Sequence, residues 1–161
     1  MTRSTFPTAF ALAALALLGA PPAHAGAPDA AVKAQLDSLD IKYKVDGDGD
    51  FEIVYDLDEG RTQRVWIRSA TDAYGSVKVR EIWSPGYKLN GAPLPPKVAA
   101  RLLESSHDLI LGGWTAQKEF AMLVVKIPVS ATPKQLQDAA EFAANVADKL
   151  EKEFTQAKDE L

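Results

Sequence analysis

Side chains able to do chemistry are sparse in this 161-residue chain. There is no cysteine, which excludes a thiol nucleophile and thiolate metal sites. His107 is the sole histidine beyond residue 25. It stands in Ser105-Ser106-His107-Asp108, and four consecutive residues at a helix end cannot supply a nucleophile, an oriented base and an oxyanion hole. A histidine there suits a helix C-terminus, and alone it cannot form a multi-histidine metal site. Asp46, Asp48 and Asp50 begin like a calcium loop, but an EF-hand needs glycine at its sixth position and an acid at its twelfth. Those positions hold Phe51 and Leu57, and the flanks read as strands, so D-G-D-G-D reads as a hairpin turn. Gly112-Gly113 lacks phosphate-loop spacing, and Glu104 and Asp108, four apart, read as a solvated helix face. The expectation is no catalytic residue, no metal site and no cofactor.

The surface pattern with most promise is basic and aromatic. Between Gln63 and Ser69, Val65 and Ile67 fall on one face of a strand and Arg64, Trp66 and Arg68 on the other. On the next strand Lys78 and Arg80 alternate with Val77 and Val79. These five residues, Arg64, Trp66, Arg68, Lys78 and Arg80, are read as one outer face, because tryptophan with arginine is the composition of binding hot spots. The competing reading is a charge ladder with Glu52 and Asp56 on the preceding strand, each pair contributing about 0.2–1 kcal/mol. Trp83-Ser84-Pro85-Gly86-Tyr87 is a second candidate, as the mouth of a groove.

The elements that must position this face follow from periodicity. Asp29 caps a short helix with Val32, Leu36 and Leu39 on its apolar face. Ile41–Val45 reads as a strand. Phe51, Ile53, Tyr55 and Leu57 alternate with Glu52 and Asp56, and Asp58-Glu59-Gly60 turns into the Arg64 strand. Ala70–Ser76 reads as a turn, Val77–Trp83 as a strand, and Ser84–Pro96, rich in proline, as an irregular loop. A helix starts at Pro96. Leu109–Ala116 reads as a strand in which Gly112-Gly113 marks a bulge or close approach. Phe120–Ile127 is apolar on both faces, the mark of a central or doubly covered strand. Thr132-Pro133-Lys134-Gln135 is a capping box opening a long helix, with an alanine-rich stripe ending at Leu150 and Phe154. The fold class is α+β: an antiparallel sheet of about five to six strands, order α-β-β-β-β-α-β-β-α, with the last helix packed on the sheet.

The first 25 residues have the form of a secretory signal peptide. Arg3 precedes the apolar run Ala9–Ala20, then Pro21-Pro22 and an A-x-A site at Ala23-His24-Ala25. The run is too short to span a bilayer, which takes about 20 residues. Residues 26–161 then form one domain, placed in the periplasm or secreted. Lys158-Asp159-Glu160-Leu161 spells an endoplasmic-reticulum retrieval signal but reads here as a frayed, charged helix end, so an ER lumen is disfavoured. The formal charge of −4 becomes −5 without Arg3. That is a poor footprint for nucleic acid.

Several stretches resemble the YbjN family, whose members have the fold of type III secretion chaperones. They are the opening helix followed by Y-K-V-D-G-D-G-D-F, the hairpin Tyr55–Trp66 with its D-E-G-R turn, V-K-I-P-V at Val125–Val129, and A-D-K-L-E at Ala147–Glu151, similar to that family's closing A-D-x-L-E. The resemblance implies an α+β domain with flanking helices, a protein-binding or chaperone-like role with links to stress or sensory responses, and no catalytic residues to carry over. Many members are cytoplasmic, whereas this chain carries a signal. The expected function is therefore a non-catalytic periplasmic binding module. Its partner is an unidentified protein or peptide, and homodimer formation is one option. The alternative is a carboxylate-based hydrolase, which would need two acids in a polar cleft.

Overall fold

The computed structural model describes residues 26–117, 119–156 and 158–161. The signal-peptide reading lies outside the described residues. Among them, no helix is long and apolar enough to cross a membrane.

The protein is α+β. Its elements are α1 (Ala30–Ser38), β1 (Lys44–Val45), β2 (Phe51–Asp56), β3 (Thr62–Tyr74), β4 (Val77–Lys88), α2 (Pro96–Asp108), β5 (Gly113–Ala116), β6 (Phe120–Pro128) and α3 (Pro133–Thr155). The six strands form one antiparallel sheet in the order β1-β2-β3-β4-β6-β5. Alternation sorts side chains to its two faces. Phe51, Ile53, Val65, Ile67, Ile82, Leu123, Val125 and Ile127 point inward and join Val32, Leu36 and the Leu136–Ala144 stripe of α3 in one buried core. The alanines of that stripe let the α3 backbone lie close to the sheet. Val98 and Leu102 of α2 pack with Ala121 and Leu150 beside it, again on the inward side. All the described helices therefore cover one face.

The helix ends follow from the sequence. Asp29 accepts from the N–H groups of Ala31 and Val32, and Thr132 and Gln135 exchange hydrogen bonds around Pro133. Ser105 and Ser106 pin β5 to α2: Trp114 donates from its backbone N–H to Ser106 Oγ and from Nε1 to Ser105 Oγ. Gly112, at φ +75°, passes so close to the Val124 carbonyl that a Cβ would stand 2.2 Å from its oxygen. That is the close approach expected of the glycine pair.

Four boundaries differ from expectation. β1 is only Lys44–Val45, because Ile41 and Tyr43 turn in to pack against the core. β3 continues to Tyr74, so the supposed turn at 70–76 shrinks to the residues around Gly75. Gly112 precedes β5 and Gly113 opens it, so the glycine pair marks the start of a short strand rather than lying inside a longer one. β4 runs on through Pro85 to Lys88 by taking up a bulge between Pro85 and Tyr87, a position where proline is tolerated. β6 is flanked by β4 and β5 and covered by helices on one face only.

Residues 158–161 are not a frayed helix end. Gln156 adopts the left-handed conformation that stops the helix. The backbone then folds back, with Glu160 N–H donating to Glu151 Oε1 at 2.6 Å and Thr62 donating from N and Oγ1 to Asp159 Oδ2.

Candidate partner-binding face

The face opposite the helices is built from the even positions of β2, β3 and β6 and the odd positions of β4. Trp66 lies directly across from Trp83, which lies across from Val124. No described helix covers this row. Around it the charged side chains pair in sequence across four strands. Arg68 Nε reaches Asp50 Oδ2 at 3.0 Å, and its guanidinium lies 4.1 Å above the Trp83 ring. Trp83 Nε1 donates to Glu81 Oε2 at 2.8 Å, and Glu81 Oε1 meets Lys126 Nζ at 2.9 Å. Arg64 Nε stands 3.8 Å from Glu52 Oε1. A ladder forms, but its acids are mainly Asp50 and Glu81, with Glu52 at long distance and no ion pair to Asp56 among the described residues. Asp50 feels two opposed effects. Burial raises its carboxyl above the ordinary value, and the Ser69 N–H and Arg68 offset only part of that.

Three of the five sequence-derived residues come together here: Arg64, Trp66 and Arg68. Arg80 does not, and Lys78 shares its parity. Between Trp66–Trp83 and Thr71–Arg80 the register of β3 slips by a bulge around residues 68–70. Arg80 sits two positions from the buried Ile82, on the inward side, with 4% of its surface exposed. Its Nη1 donates to the Arg68 and Ser69 carbonyls that the bulge leaves without strand partners, and its Nη2 to Asp29 Oδ2 at 2.7 Å. Burial raises the Asp29 carboxyl, but the N–H groups of Val32 and Ala31 and the Arg80 guanidinium outweigh it, so the net shift is downward. Arg80 is a clamp holding the start of α1 to the sheet. The alternation Arg80, Ile82, Ser84 could have shown this. Val77 and Val79 pointed the other way, and Val77 is exposed.

Sequence reasoning missed Trp83 as the partner of Trp66. The groove-mouth segment divides: Trp83 and Pro85 face outward, while Tyr87 turns inward, edge-on to Phe154 at 5.3 Å. Two clefts flank the tryptophan pair. One of about 570 Å³ lies between Trp83 and the backbone of β5. The other, of about 440 Å³, lies below Trp66, where Pro85 has no N–H to give. There the β3–β4 ladder ends, and Ser84 Oγ donates to the Arg64 carbonyl instead.

The remaining candidates resolve into scaffold. Asp46 Oδ1 accepts from the N–H groups of Asp48 and Asp50, while the Asp50 carboxylate is taken by the Ser69 N–H and Arg68, so the acids of this loop do not converge. Among the described residues no group of three His, Cys, Asp or Glu is placed to hold a metal. His107 occupies the last turn of α2. The deepest paired carboxylates, Asp148 and Glu151 on α3, are tied to Arg61. The D-E-G-R and A-D-K-L-E motifs thus meet in one buried ion cluster. No protein-family model matches this chain, and no curated protein matches it.

Proposed function

We propose that the protein is a non-catalytic binding module that takes an extended segment of a partner protein on its helix-free sheet face. The carrying observation is the directly opposed pair Trp66 and Trp83, without a covering helix and with an open cleft on either side. Large, stiff aromatic side chains on a preformed surface give contact area at little entropic cost, and Arg68 stacked on Trp83 fixes one ring in advance. The ladder around them is charge-balanced, so affinity comes from the aromatic floor, with the ion pairs setting orientation. The YbjN resemblance, carried by scaffold residues, and the secretory form of the first 25 residues agree with a chaperone-like role in the periplasm.

The test is photo-crosslinking in living cells with a benzophenone amino acid at position 66 or 83, against a control at the exposed Lys134 of α3. A discrete adduct at 66 and 83 and none at 134 supports the reading. Equal, diffuse labelling at all three positions overturns it.

A further inference from the structure

The cleft below Trp66 has a wall that does not come from the sheet. Arg64 and Trp66 of β3, Lys88 of β4 and Phe120 of β6 form one side, and Asp159, Glu160 and Leu161 form the other. The tail reaches this place by turning round the end of the sheet after Thr155. Asp159 is held by Thr62 and stands 3.7 Å from Arg61, and Glu160 is held through its N–H by Glu151. Asp159 is anchored through its carboxylate and Glu160 through its backbone N–H, which leaves the apolar Leu161 half-buried against the outer-face cleft. The opposing wall is complementary in kind. Arg64 is more than half exposed, with its acid at the long distance of 3.8 Å. Lys88 is exposed and has no ion-pair partner among the described residues. Trp66, Pro85 and Phe120 supply the apolar surface.

We infer that this cleft is the docking site for an extended, acidic, leucine-bearing segment of a partner protein, and that Asp159–Leu161 is its internal stand-in, displaced when the partner binds. This rests on the helix-free face being the binding surface and names the chemistry of what it binds. Two acids followed by a leucine suit two cations beside an aromatic floor, and the chain's own tail lines the same cleft, although its Asp159 carboxylate is held by Thr62 and Arg61 rather than by those cations. An intramolecular competitor is present at high effective concentration, so weakening it raises affinity for a segment of the same type without any new contact.

The probe is a fluorescein-labelled peptide with the sequence of residues 155–161, followed by anisotropy against the whole chain. Leu161→Asp in the protein removes the apolar contact and keeps the Asp159 and Glu160 anchors, so folding is retained and is checked by thermal melting. The expected result is peptide binding about ten-fold tighter than to the unaltered chain. That gain is lost when Arg64→Glu and Lys88→Glu are added. Binding that L161D does not strengthen, or that the two charge reversals leave unchanged, overturns the proposal. So does concentration-dependent dimerisation of the L161D chain, which would make a second copy the occupant. If peptide binding fails while crosslinks at position 83 persist, this inference falls and the binding-face reading stands.

Discussion

Arg61 and Arg68 lie on the same arm of one hairpin, yet they live in opposite environments. Arg61 is buried at the hairpin turn among Asp148, Glu151 and Asp159, with Glu151 wholly excluded from solvent. Arg68 lies on the open face, stacked on Trp83 and paired to Asp50. Both are arginines with acidic partners, but water separates their roles. A buried pair is costly to assemble and very costly to break, because the partner left behind cannot be solvated. The Arg68–Asp50 pair is open to water at one end only: Arg68 keeps 27% of its side chain exposed and Asp50 3%, so solvent reaches the cation and breaking the pair costs less than at Arg61. The same residue type thus locks the hairpin to α3 in one place and dresses a binding surface in the other.

The comparison breaks most visibly at Arg61. Arg61→Ala leaves Glu151 buried without its cation and Asp148 with Lys152 alone, at 3.5 Å, and urea denaturation should show a loss of about 3–5 kcal/mol. A loss below about 1 kcal/mol, the range of a surface pair, would mean the cluster is wet. The next test is pH. Burial pushes the Glu151 carboxyl above its ordinary value of 4.5, against the opposing pull of the Glu160 N–H and Arg61. A group whose folded pKa is raised binds its proton more tightly in the native state. Its stabilising contribution is therefore complete below the unfolded value and is lost as pH rises through the folded one. The stability of the unaltered protein relative to Glu151→Gln should accordingly fall as pH rises from below 4.5 toward neutrality. A difference independent of pH would show that Glu151 titrates normally. The smallest effect belongs to Arg68. Arg68→Ala should cost about 1–3 kcal/mol, because it takes the cation from the buried Asp50 carboxylate but leaves that carboxylate the Ser69 N–H, while weakening crosslinking at position 83. A loss as large as that of Arg61→Ala would make the open face a structural surface after all.

Much of this fold was legible because it depends on period and caps. The Thr132–Gln135 box, the Asp29 cap and the alternation through Phe51–Asp56 are local, and local signals survive into the structure. The order of elements and the packing of α3 followed from them. What stayed hidden was decided between strands. The alternation of Arg80 with Ile82 places Arg80 inward, but its role as a clamp rests on the Arg68 and Ser69 carbonyls at a bulge in the neighbouring strand, which no single-strand pattern contains. Pro85 looked like the end of a strand because proline removes a donor, yet the neighbouring Ser84 hydroxyl supplied the missing hydrogen bond. At the candidate site, Trp66 and Arg68 were readable from alternation alone. Their partners Trp83, Glu81 and Lys126 were not, because pairing across strands distant in sequence fixes them. The D-E-G-R and A-D-K-L-E motifs read as independent scaffold marks, and only the fold joins them.

The division of the sheet also sorts the chain's three tryptophans. Trp114 is laid against Gly86, whose missing Cβ makes room for the ring, on the side the helices seal. Trp66 and Trp83 stand on the other side. The protein therefore carries two separate optical channels. Emission from Trp114 follows the melting of the interior, and emission from Trp66 and Trp83 follows whatever settles on the open surface. Replacing either set with phenylalanine isolates the other, so stability and occupancy can be recorded from one sample without an attached dye.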